Sequence, residues 1–117
     1  MANSTGSGEM GQPNFLGTQE GILVVHMKCA CQEHITSAGV ASAITAKAKE
    51  EGVDKAVLVG GCHTPDQRII QSVTGMAATG GIRTVWESSG FFQKTLSLED
   101  DSVLTALSDA QEAFAVG

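Results

Sequence analysis

A chain of 117 residues can bury one core without disulfides or metals, and a hydrophobic fraction of 42% fits a single globular domain. Thirteen acidic residues against seven basic ones give a formal net charge of -6, which removes any general attraction to nucleic-acid backbones or anionic membranes. No run approaches the ~18 apolar residues of a membrane span.

The opening MANSTGSGEMGQPN lacks the basic start and apolar centre of a secretory signal. Three cysteines cannot all pair within one chain. Both features lead to the expectation of a cytoplasmic protein with reduced thiols. Residues 1–18 are rich in Gly, Ser and Asn, with Phe15 and Leu16 as apolar anchors. That composition predicts a flexible N-terminal tail, followed by a single α/β domain over residues 19–117. A tail of this kind orders only against contacts from outside or a groove on the domain, and Phe15 and Leu16 are expected to reach another copy.

Gly21 to Lys28, GILVVHMK, predicts a first strand, and its continuous apolar run places it inside the sheet. His26 is read as a half-buried strand residue. Cys29-Ala30-Cys31-Gln32-Glu33-His34 is a loop of mixed chemistry. Ile35 to Glu51 predicts a helix stopped by Gly52, and its small run Ser37 to Ala41 would let another backbone approach closely.

Val53 to Met76 is the stretch around which the rest is arranged. Ala56 to Val59 predicts a buried strand, and Gly60-Gly61 lets the chain turn. Thr64-Pro65-Asp66-Gln67 then supplies a cap, a first-turn proline, an acid at the dipole's positive end and a capping-box glutamine. Ile69, Ile70, Val73, Met76 and Ala77 recur at helical spacing, and Thr79-Gly80-Gly81 ends the helix. Ile82 to Glu87 predicts a third strand, and Phe91 to Leu98 a fourth by alternation. Phe91 and Phe92 read as exposed and suited to assembly. Ser102 to Val116 suits a helix, with a further strand as the competing reading. The expected order is β-α-β-α-β-β with a C-terminal helix or extra strand. It implies a small two-layer α/β sandwich with a parallel start to the sheet.

The sharpest chemical feature is the placement of thiols and imidazoles. Cys29 and Cys31 follow the first strand, and Cys62-His63 follow the second. Parallel neighbouring strands would bring all four to the sheet edge that ligand sites favour. These donors could hold zinc tetrahedrally, although their spacing is not a common zinc spacing, and small half-buried cysteines at strand ends are the plainer reading. A cysteine before a helix could instead act as a nucleophile, its thiol activated by the helix N-terminus. From Val24 to about Gly52 the strand, cysteine loop and helix resemble the cysteine-phosphorylated B subunits of the sugar phosphotransferase system. Their glycine-rich loop beside the cysteine is missing here.

A longer resemblance runs from Gly21 to about Leu107. ILVVHMKC, TSAGVASAITAKAKEEG, GCHTPDQRIIQSV and GIRTVWESSGFFQKTLSLEDDSVLTAL resemble successive segments of the stage V sporulation protein S family, a small bacterial family with an Alba-like fold. The Cys29 to His34 loop is longer than that family's, and Cys62-His63 replaces small residues. The resemblance implies a non-enzymatic, self-associating regulatory or structural protein without cofactor. It marks Lys28, Gln67 and Arg68 as a polar binding surface, with nucleic acid disfavoured by the charge. The alternative is a cysteine phosphocarrier or thiol or metal enzyme using Cys29, Cys31, Cys62 and His63, with zinc as cofactor.

Overall fold

The computed structural model describes residues 13–27, 37–60, 67–87 and 96–116. Seven elements follow in chain order: β1 (Asn14–Gln19), β2 (Ile22–His26), α1 (Ser37–Glu51), β3 (Lys55–Val59), α2 (Gln67–Thr79), β4 (Arg83–Glu87) and α3 (Asp101–Val116). The four strands form one sheet in sequential order, β1 antiparallel to β2, and β2, β3 and β4 mutually parallel. This is an α/β sandwich built on the two expected βαβ units.

Alternation along the strands sorts the core into two sides. Leu23, Val25 and Met27 with Ala56 and Leu58 meet Val40, Ala41, Ile44 and Ala48 of α1 and Ile70, Val73 and Ala77 of α2. Ile22, Val24, Val57 and Val59 meet Val103, Ala106, Leu107, Ala110 and Phe114 of α3 on the opposite side. The C-terminal element is therefore the helix, and it adds a third layer to the two-layer arrangement expected. Apolar residues on both faces explain why β2 and β3 read as unbroken hydrophobic runs.

Glycines stop the first two helices by the same device. Gly52 has φ 75°, with Gly52 N–H donating to Lys49 O at 3.1 Å and Val53 N–H to Ala48 O at 2.9 Å. Gly81 has φ 91°, with its N–H on Ala78 O and that of Ile82 on Ala77 O, both at 2.9 Å. In each case the left-handed residue lets two orphan carbonyls find donors, and an apolar residue re-enters the core. At the start of α3, Leu104 N–H donates to Asp100 O at 2.9 Å, while Asp100 Oδ2 accepts from Ser97 N–H at 2.9 Å.

The N-terminal expectation changes most. Residues 14–18, placed in the tail, form most of β1, which pairs with β2 of the same chain. Phe15 packs against the core beneath α1 and α2, and Leu16 against the core beneath α3, so both anchors are used within their own domain. The β1–β2 turn is two residues long, Glu20 and Gly21 at φ 57° and 74°, the positive pair that matches strand twist in a tight hairpin. Of the expected strand Phe91 to Leu98, residues 91–95, Phe91 and Phe92 among them, lie outside the described residues. Leu96 and Leu98 are described in irregular or turn conformation and pack on the α3 side of the sheet.

One polar atom sits badly. Thr84 Oγ1 on β4 is buried with no hydrogen-bond partner among the described residues. Valine has the same shape without that desolvation cost. Thr84→Val is expected to raise stability by about 1 kcal/mol in chemical denaturation. A loss of stability would show that the hydroxyl has a partner.

Candidate functional site

The register of the parallel strands defines the site. His26 pairs with Val59, and Val59 with Glu87, so the carboxyl ends of β2, β3 and β4 lie level. Met27 N–H extends the ladder by donating to Val59 O at 2.9 Å. The chain segments 28–36, 61–66 and 88–95 depart from this edge. Asn14 at the start of β1 pairs with His26, so β1 begins at this same edge.

These departures carry most of the residues singled out in the sequence. Lys28, Cys29 and Cys31 follow β2, and Cys62 and His63 follow β3; all five lie outside the described residues. Their distance along the chain is still informative. In the sequence Cys29 is two residues past Met27, and Cys62 two past Gly60. Adjacent strands are only ~4.8 Å apart. Gln67 opens α2 at this same edge, with its side chain outside the described residues. Arg68 follows it and is exposed.

The helices present their N-termini to this edge. The chain enters α1 from 28–36 and α2 from 61–66, and neither helix has an acidic residue in its first turn. The positive ends of both dipoles are uncompensated within the helices, which favours thiolates or other anions nearby. α3 runs opposite to the strands. Arg83 at the start of β4 donates from Nη2 to Phe114 O at 3.4 Å and lies 5.2 Å from the Phe114 ring centroid. The C-terminal turn of α3 is thus at the amino edge of the sheet and its first turn toward the carboxyl edge.

Two described side chains flank the edge beneath α3. His26, expected to be half-buried, is 0% exposed. Glu87 lies on the same side one strand beyond Val59. Burial, and secondarily the carboxylate of Asp109 on α3, push the Glu87 carboxyl above its usual 4.5. Sequence reading passed over Glu87 because its partner, Asp109, lies far along the chain on a helix whose existence was itself undecided. The predicted strand ends were the available signal.

A carboxyl raised in the folded state contributes stability below its unfolded pKa and loses it as pH rises through the folded value. Glu87→Gln is therefore expected to raise Tm at pH 7 and to match the wild type below about pH 4.5. Thermal melts across that range check this. A Glu87→Gln protein less stable at pH 7 would contradict the cause assigned here.

Among the described residues no group of three His, Cys, Asp or Glu is placed to hold a metal ion. No helix among them is long and apolar enough to cross a membrane. Comparison with protein-family models, curated proteins and solved structures finds no match.

Proposed function

We propose that this chain is a small non-enzymatic regulatory domain whose working site is the carboxyl edge of β2 and β3. Cys29, Cys31, Cys62 and His63 there supply a three-thiolate, one-imidazole set that holds zinc. The observation that carries this reading is the level pairing of His26 with Val59 and the Met27-to-Val59 hydrogen bond. These put the roots of both donor-bearing segments on adjacent, parallel strands. Both segments lead into helices whose own first turns hold no acidic residue, a setting that favours ionised thiols. Three cysteines and one histidine make a recognised structural zinc donor set. A closed set of four protein ligands leaves no open coordination position for substrate, which favours regulation over catalysis.

Metal analysis of protein purified under reducing conditions tests the reading. Equimolar zinc is expected in the wild type, with loss after Cys29→Ser or Cys62→Ser. Wild-type protein that remains metal-free after incubation with zinc would defeat it.

A second reading is a self-associating regulator of the kind the sporulation-family resemblance implies. What favours it is the small, exposed surface of α1, where Ala38, Gly39 and Ser42 all face solvent. Such a surface lets two helices approach closely. Multi-angle light scattering at micromolar concentration is expected to give a dimer or larger species in this case. Conversion to monomer by Gly39→Glu would locate the contact on α1, and a monomeric wild type would eliminate it. The net charge of -6 disfavours nucleic acid as a partner under either reading.

A further inference from the structure

The layers leave a slot at the opposite, amino edge of the sheet. α3 packs on β3 and β4, while Leu98 covers β1 at Gly17. Between the end of α3 and the β1–β2 turn remains an open pocket of about 280 Å³ lined by Glu20, Gly21, Ile22, Lys55, Gln111, Phe114 and Ala115. Ile22 and Phe114 are themselves buried core residues, so the pocket has an apolar side.

Apart from Lys55, its polar groups favour a cation. The last turn of α3 contains no basic residue, and helix-end carbonyls carry negative partial charge. The exposed Glu20 carboxylate stands on the wall formed by the hairpin turn. Gln111 adds an amide. Lys55, the only cation among these lining residues, has Nζ 3.2 Å from Asp54 Oδ1, so its charge is already paired. Arg83 serves Phe114 O but does not line the pocket.

We propose that this slot binds a small primary amine with an apolar body. The ammonium sits between Glu20 and the α3 C-terminus, and the hydrocarbon lies toward Ile22 and Phe114. The site is separate from the carboxyl edge and does not depend on zinc.

The test is an amide-resolved NMR titration of the full chain with 3-methylbutylamine and with 3-methylbutanoate, which share a carbon skeleton. The amine is expected to give saturable shifts at Glu20 to Ile22 and Gln111 to Ala115, and the acid none. Glu20→Gln should weaken the amine about two- to fivefold, the scale of one exposed charge contact. Ala115→Lys, placing an ammonium at the exposed last turn, should compete and abolish binding. An equal response to the acid, no saturable shift, or undiminished affinity in either variant would overturn the proposal.

Discussion

Leu58→Ala is expected to lower stability by about 3–5 kcal/mol in denaturant unfolding, the largest effect of any single truncation considered. Leu58 is 0% exposed in β3, paired in register with Val25 on one side and Trp86 on the other. It belongs to the core beneath α1 and α2, so removing its side chain opens a void that two helices and two strands would have to close. A close-packed interior relaxes only in part, and the cavity adds to the lost transfer energy. Leu104→Ala is the comparison. Leu104 is 40% exposed on α3, and its truncation is expected to stay within about 0.5 kcal/mol. Similar costs at the two positions would mean that the assignment of core and surface is wrong.

Gly17→Ala should be the second large effect, about 1–3 kcal/mol from backbone strain alone, or roughly 5–15 °C in Tm. Gly17 has φ 139°, which side chains on L-residues rarely adopt, and sits where the β1–β2 register shifts between Phe15 and Gly17. A Cβ there would also stand 2.8 Å from Leu98 Cδ1. The contact is with the far end of a leucine, so that side chain can give way, whereas the φ angle cannot. The two contributions separate in a double-mutant cycle. Leu98→Ala should reduce the penalty of Gly17→Ala without removing it. If the penalty vanishes, the backbone term is absent.

The parts of the fold legible in the sequence are those with local physical causes. β2 and β3 announced themselves as apolar runs, and Gly52 and Gly81 mark helix ends because their positive φ is a chain-local requirement. β1 was missed for a reason equally local. Its hairpin turn is Glu20-Gly21 rather than the Asn-Gly or Asp-Gly that advertises such a turn, and Gly17 interrupts the alternation at the bulge. Once β1 is in the sheet, Phe15 and Leu16 fall on opposite faces, so they no longer argue for contact with a neighbouring copy. α3 was ambiguous because Val103, Leu104 and Leu107 fit either period over a few residues. Only its packing face, Val103, Ala106, Leu107, Ala110 and Phe114, is clearly helical.

The candidate site was legible to the same degree. The sequence placed Cys29, Cys31, Cys62 and His63 after strands. That those strands are adjacent, parallel and level is a tertiary fact, carried by the register of His26, Val59 and Glu87. The acidic pair Glu87 and Asp109 depends on where α3 crosses the sheet, which no spacing in the sequence encodes.

The central claim, that the three cysteines act together at the carboxyl edge, is tested most directly by counting protected thiols. The intact protein is treated with a thiol alkylating agent, with and without one equivalent of zinc, and modified residues are identified by mass spectrometry. The account predicts that zinc slows alkylation of Cys29, Cys31 and Cys62 together. Cysteines that react at the same rates with and without the metal would contradict it.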